Sequence, residues 1–549
     1  MTSILTPRAD AAAPGEPLHH FWSVCAGAGR AAEGLRASWQ EQLRQVAGGC
    51  GFRYVRFHGL FHDDMFVYRL GGDGQAVLNF QYVDDLFDRL LDAGVRPFVE
   101  LGFSPGDLAR EKGTIFWWGA HGSPPTDLVA WASLVSATVR HWVSRYGIDE
   151  VRQWYFEVWN EPNLDPFFRG TRAEYYDLYA ATAHALKAID PDLRVGGPAT
   201  SNFVPDARFD GDTEDKGGHV TVTADNLDAL EWRPVWLEHF LGHCSRERLP
   251  VDFVSCHPYP TDWALDDHGE GAHYTRGADA TRRDLTTVRD IVGKSPFPDA
   301  EIHLTEWSST PSSRDHTHDH PQAATFVVRA NLESIGLVDS LAYWTFTDVF
   351  EEMGAGDTAF HGGFGLLNQQ GIPKPTYHAY RFLHALGDEL LAQVPGAVVT
   401  RDAATGRIAA LAHHYPPEMP LAVPLSTPDR TVAEETLALG TPVPYTLNLT
   451  GLPAHASFTV EILEPGSADG GDTLAAWRER GAPEPLSRED ITALRRTAPR
   501  TETVRADAAG ELTYERLLAP WSVVLVRQDD GGPAGPWERP VGEPGHPIG

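Results

Sequence analysis

Eight short apolar runs alternate with longer amphipathic stretches, and this constrains the fold of the chain more than any other feature. The runs fall at residues 18–29, 52–59, 96–105, 154–163, 193–200, 251–260, 301–310 and 340–352. Between them lie helical patterns: 32–46 spaces Leu35, Trp39 and Leu43 by four, and 82–93 puts Val83, Leu86, Phe87, Leu90 and Leu91 on one face. Further helical patterns fall at 126–146, 173–189, 235–244, 281–292 and 322–335. Strands separated by helices need crossover connections and a parallel sheet. Eight rounds predict an α/β fold, a (β/α)8 TIM barrel over 18–386, with its site at the carboxyl ends of the strands. An open doubly wound sheet is the alternative. It fits less well, because Ala26-Gly27-Ala28-Gly29 is followed by Ala32 where a nucleotide-binding loop needs its third glycine.

After Leu386 the texture changes. Short alternating runs at 394–399, 407–413, 445–449, 457–463 and 522–526, split by Gly and Pro, predict an antiparallel β-sandwich over 387–528, with a helical insertion at 473–481. Residues 1–17 form an N-terminal segment. Residues 529–549, rich in Gly and Pro, read as a flexible tail.

Charge narrows the partners. The 549 residues carry 45 Lys and Arg against 76 Asp and Glu, a net charge of −31. Such a field repels nucleic acid and anionic membrane and favours a small neutral substrate. The four cysteines lack CxxC spacing, and Cys25 and Cys256 sit in apolar runs as expected of buried thiols. Residues 1–17 show neither a basic n-region nor an apolar h-region, and no apolar run reaches the roughly 20 residues a membrane span needs. A cytoplasmic protein is expected, with export by another route and homo-oligomerisation left open.

The run Trp154-Tyr155-Phe156-Glu157-Val158-Trp159-Asn160-Glu161-Pro162-Asn163 is a buried strand that stops at Pro162, which leaves Asn160 and Glu161 at the strand's carboxyl end. Glu306, in His303-Leu304-Thr305-Glu306-Trp307, lies near the end of the seventh strand. On a closed barrel both face one mouth. A retaining glycosidase needs just such a pair, with carboxyls about 5–5.5 Å apart, one as acid/base and one as nucleophile. Glu161 is then the proton donor, with a raised pKa, and Glu306 the ionised partner, with Tyr259 as a donor to it. Asn160 is placed to bond a sugar 2-hydroxyl, and Glu157 points into the barrel. A lone strand-end Glu is as readily a structural ion pair; two at matched ends favour chemistry. The run Arg314-Asp315-His316-Thr317-His318-Asp319-His320 has the look of a metal site, but it precedes a helix, so capping is favoured over metal, and neither metal nor cofactor is expected.

These segments resemble glycoside hydrolase family 39, its β-xylosidases above all. The resemblance rests on Gly51-Phe52-Arg53-Tyr54-Val55-Arg56-Phe57-His58-Gly59, Asp63-Asp64-Met65, Arg96-Pro97-Phe98-Val99-Glu100-Leu101 and 154–164. It continues in Val195-Gly196-Gly197-Pro198-Ala199, 251–260, Thr305-Glu306-Trp307, Tyr343-Trp344-Thr345-Phe346, Phe350-Glu351-Glu352 and Phe360-His361-Gly362-Gly363-Phe364-Gly365-Leu366. It implies a (β/α)8 barrel with Glu161 as acid/base on strand four and Glu306 as nucleophile on strand seven. It implies a glycone pocket of His58, Asn160, His257, Tyr259, Trp344 and Glu352, joined by Phe116 and Glu351, and N-terminal residues that join the sandwich. Trp344 would offer a flat face to the sugar, with core packing as its plain alternative. Arg56 would donate to the nucleophile or serve as a barrel-core ion pair; His58 and His257 could equally be satisfied core histidines; Glu351 could be a solvated loop carboxylate. The family pattern is lost over 310–322. The expected activity is exo-acting, retaining hydrolysis of β-D-xylose from short xylo-oligosaccharides. The alternatives are another glycone (arabinoside, glucoside or uronide), a metal-dependent hydrolase, or a noncatalytic sugar-binding protein.

Overall fold

The computed structural model describes residues 5–201, 203–204, 231–265, 271–422 and 430–529. Eight strands close a barrel: β1 (Cys25–Arg30), β2 (Tyr54–His58), β3 (Arg96–Leu101), β4 (Tyr155–Val158), β5 (Arg194–Ser201), β6 (Phe253–His257), β7 (Glu301–Trp307) and β8 (Ser340–Tyr343). Every neighbouring pair is parallel and consecutive in sequence, and β8 returns to β1 through Tyr343 and Ala26. This closure removes the open-sheet alternative. The eighth run is shorter than its apolar pattern: the strand ends at Tyr343, and after Trp344 N–H on Trp307 O and Phe346 N–H on Gly27 O the chain continues as a loop. Helices fill the crossovers, including Leu128–Tyr146, whose first turn is capped by Asp127 accepting from the amides of Val129 and Ala130, and Arg172–Lys187, which opens on a capping box of Thr171 and Glu174.

Gly27, half of the incomplete glycine motif, has a different use. A methyl group there would collide with the Trp344 ring, so the glycine lets that ring lie against β1.

The later residues form two further sheets. A seven-stranded sheet runs in the order Glu16–Pro17, Glu389–Val394, Ala397–Arg401, Ile408–His414, Ser522–Gln528, Ser457–Leu463, Arg500–Arg505; a three-stranded one joins Arg8–Asp10, Val443–Thr450 and Leu512–Leu518. Val399, Ala410, Val460 and Val524 of the first share a core with Tyr445, Leu447, Leu512 and Tyr514 of the second. The alternate residues Val398, Leu411, Val523 and Leu525 belong to the main core with the barrel. The central strands of the larger sheet are therefore buried on both faces, and two N-terminal strands are stitched into this region. The apolar run at 394–399 straddles a hairpin turn instead of forming a strand, because Pro395 and Gly396 (φ 85°) reverse the chain between Glu389–Val394 and Ala397–Arg401. Strands Arg500–Arg505 and Leu512–Leu518 carry many charges and escaped the apolar pattern.

All four cysteines are buried and free. Among the described residues no helix is long and apolar enough to cross a membrane. Most of the tail at 529–549 lies outside the described residues.

Candidate active site

Glu161 follows β4 with φ 46°, and Trp159 before it has φ 71°; both are left-handed conformations that side chains rarely adopt. The turn is held by Trp159 N–H on Leu101 O (3.1 Å), Glu161 N–H on Ala199 O (2.9 Å) and the Trp159 indole on Phe167 O (3.0 Å). Glu306 is delivered differently. Pairing of β7 with β8 shifts between Leu304 and Trp307, and such an irregularity lets consecutive residues turn the same way. Thr305 and Glu306 both reach buried polar partners inside the barrel. A carboxyl oxygen of Glu161, one of Glu306 and a ring nitrogen of His257 all lie within 4.8 Å of one another.

Arg56 is the hub beneath them. Completely buried, it donates Nε–H to Glu157 Oε2 (2.6 Å), Nη1–H to Glu306 Oε1 (2.8 Å) and Nη2–H to Asn160 Oδ1 (2.8 Å), with Glu100 Oε2 at 3.1 Å. The two readings of Arg56, donor to Glu306 and core ion pair, are one geometry. His58 Nδ1 meets Glu100 Oε2 at 2.6 Å, while its Nε2 stands 3.5 Å from both Glu306 Oε1 and Glu352 Oε1. Burial alone would lower its pKa; the charge and hydrogen bond of Glu100 override this and push it up to about 10. His58 is thus a buried cation. His257 is the opposite case: burial drives it down to about 4, and it is neutral.

The two carboxyls are both pushed upward by burial. Burial raises Glu161 to about 7 against the pull of Ser201 and His58. Burial also raises Glu306, opposed by its charged and polar neighbours, including Arg56, and its Oε2 accepts from the Tyr259 hydroxyl at 3.2 Å. Two carboxylates and an imidazole could in principle hold a cation, but Arg56 already supplies positive charge to Glu306, so this donor set does not fit a metal.

The walls are aromatic. The Trp344 ring lies 4.8 Å from that of His58, and Phe116 (φ 59°) stacks on His58 at 6.0 Å and 16°. Asn160 Nδ2 is buried and has no partner, a donor aimed at nothing in the chain. Glu351 does not belong with these groups, and it is not solvated either. It is buried, and both of its oxygens are taken, by Arg30 Nη2 (3.0 Å) and Arg36 Nη2 (2.6 Å), so it ties the eighth loop to the first. The histidine-rich run is also structural. Asp315 caps its short helix by accepting from Thr317 N–H (2.9 Å), and Asp319 pairs with the buried Lys374 (2.9 Å).

Sequence reasoning missed Glu100 as a site residue: it lies within β3, in register with Glu157 of β4, so the strand-end signal that marks Glu161 passes it over. It also missed Thr305, which receives His257 Nε2 at 2.9 Å and donates to Glu157 Oε1 at 2.7 Å; nothing in its local pattern marks it.

A closed parallel barrel with two buried carboxyls this close at its mouth defines a retaining glycoside hydrolase. The chain matches glycosyl hydrolases family 39 over residues 6–513 and belongs to that family. A β-xylosidase of Geobacillus stearothermophilus is 39% identical over 394 residues, which is 70% of this chain and 72% of that protein. A β-xylosidase of Caldicellulosiruptor saccharolyticus is 34% identical over 525 residues, 94% of this chain and 96% of that one. The crystal structure of a monomeric β-xylosidase from Caulobacter crescentus CB15 superposes with a TM-score of 0.79 at 32% identity, covering 96% of this chain and 99% of its own.

Proposed function

We propose that the protein is an exo-acting β-D-xylosidase that removes xylose from short neutral xylo-oligosaccharides by double displacement. The observation that carries the chemistry is the Glu161–Glu306 pair, with oxygens within 4.8 Å. The choice of xylose is supported by the two β-xylosidase relatives.

Glu306 attacks the anomeric carbon while Glu161 gives its proton to the leaving oxygen. In the second half, Glu161 takes a proton from water, and the hydroxide displaces Glu306. Arg56 and Tyr259 hold the Glu306 carboxylate in line. The unpartnered Asn160 amide receives the 2-hydroxyl of the sugar, Glu352 accepts from other ring hydroxyls, and Trp344 and Phe116 wall the ring. The compartment proposed is the cytoplasm.

A screen of nitrophenyl glycosides tests the glycone: the β-xyloside should give the highest kcat/KM, and a clear preference for arabinoside, glucoside or uronide would replace xylose in this reading. E306G should lose turnover and regain it with azide. E161A should lose about 10²–10⁴-fold on xylobiose and far less on aryl xylosides with good leaving groups. Wild-type turnover in both variants would remove the assignment altogether.

A further inference from the structure

The loop that carries Phe116 also carries Trp117. Its side chain is 70% exposed, although its backbone is fixed: Trp117 N–H donates to Glu352 O at 2.7 Å. The indole lies alongside Gly354, where an added methyl would come within 3.8 Å of Cδ1, and the Gly354 carbonyl is held by Arg314 Nη2 at 3.1 Å. Met353, between Glu352 and Gly354, is 73% exposed. Nine large apolar side chains are exposed among the described residues, and only Trp117 and Met353 stand next in sequence to residues of the pocket wall. An exposed indole whose backbone is already fixed at the rim costs less to order when a ligand covers it, and its flat face suits the apolar side of a pyranose.

The position fixes the occupant. If the glycone lies between Asn160, Glu352 and Trp344, the leaving group must project past the rim that Phe116 and Glu352 form, which is where Trp117 begins. We propose that Trp117, flanked by Met353, is the platform on which the leaving-group xylose rests, and so sets the preference for oligosaccharide over small aglycones. This rests on the β-xylosidase reading above. Contact with a group that departs in the first step assists formation of the glycosyl-enzyme and not its hydrolysis.

The test compares wild type, W117A and W117F on xylobiose, xylotriose and β-xylosyl fluoride, whose leaving group has no ring. W117A should lower kcat/KM for both oligosaccharides about tenfold, the scale of an anchoring aromatic. It should leave kcat/KM for the fluoride within about twofold and the turnover of the glycosyl-enzyme unchanged, and W117F should recover most of the loss. Equal losses on all three substrates would make Trp117 merely structural, and no loss on any would make it idle. A changed elution volume for W117A on size-exclusion chromatography would make it a contact between copies; each of these overturns the proposal. Failure of the wild type to cleave β-xylosyl fluoride would instead remove the parent reading, whatever Trp117 does.

Discussion

His257 Nδ1 faces Glu161 Oε1 at 3.1 Å with its lone pair, not with a proton. The hydroxyl of Thr305 donates to Glu157 Oε1, so its oxygen is left to accept, and His257 Nε2 must carry the ring proton that fills the 2.9 Å gap between them. A neutral ring protonated at Nε2 is an acceptor at Nδ1. The group that satisfies it is a protonated Glu161. A chain of hydrogen bonds from Glu157 through Thr305 and His257 thus favours the acid form of the very carboxyl that has to give up a proton.

The pH profile should carry this signature. The acid must be protonated, so kcat/KM should fall as pH rises through about 7. The nucleophile must be ionised, so kcat/KM should also fall as pH drops through the pKa of Glu306, which lies above the ordinary glutamate value. In T305V the ring is free to take the other tautomer and donate to an ionised Glu161. Its alkaline limb should move down by about one pH unit, the scale of one hydrogen bond. An unmoved limb would sink the tautomer argument.

Arg56 should separate charge from shape. R56M leaves Glu100, Glu157 and Glu306 buried without their shared cation and should lose at least about 3–5 kcal/mol of stability by denaturant unfolding. R56K keeps the charge but not the planar fork. It should fold, with kcat/KM down about tenfold or more and the acid limb of the pH profile moved upward as Glu306 loses its close donor. A lysine variant with wild-type kinetics would show that only the charge matters.

Glu351 and Glu352 are neighbours with different work. E352Q should cut kcat/KM on every xyloside about 10²-fold, because its carboxylate stands beside His58 in the pocket. E351Q breaks the ties to Arg30 and Arg36. It should lower the melting temperature by a few degrees while kcat/KM changes less than about fivefold. Steady-state kinetics and a thermal scan on the two variants decide it, and the reverse ranking would return Glu351 to the pocket.

The barrel was legible because each strand repeats one local signal, an apolar run ended by a break, and the carboxyl pair was legible because Glu161 and Glu306 sit at such breaks. The rest depends on relationships that no local pattern carries. Glu351 and Glu352 are adjacent and chemically alike; only the positions of Arg30 and Arg36, more than three hundred residues earlier, tell them apart. Thr305 and Glu306 would point to opposite faces of a regular strand, and it is the shift in register against β8 that turns both inward. Val394 and Ala397 belong to different strands because a turn of two residues can hide inside an apolar run. Gly27 resembled a fragment of a nucleotide-binding loop until the Trp344 ring accounted for it.

Lys374 offers the sharpest test of what holds the rim in place. Fully buried, its ammonium lies 2.9 Å from Asp319, 2.7 Å from Asp348 and 2.8 Å from the carbonyl of Gly363. Asp319 in turn accepts from Gly362 N–H (2.8 Å) and Asp348 from Gly365 N–H (2.6 Å), so one cation clamps a glycine-rich loop from two sides. Burial alone would raise the Asp319 pKa; Lys374 reverses that and holds it far below the usual carboxylate range. The sign of the linkage follows. A depressed carboxylate contributes stability that is fully present above its unfolded pKa, about 3.9, and is lost as pH falls below it. The lysine pKa is raised, so its share is present below about 10.4 and is lost as pH climbs beyond its folded value. K374M should therefore cost about 3–5 kcal/mol at neutral pH, because it strands two buried carboxylates. D319N/D348N/K374M, which removes all three charges together, should recover much of that loss. Denaturant unfolding of the two variants at pH 7 measures both numbers. A triple variant no more stable than K374M would mean that the loop needs the ion pairs themselves, and not merely freedom from unpaired charge.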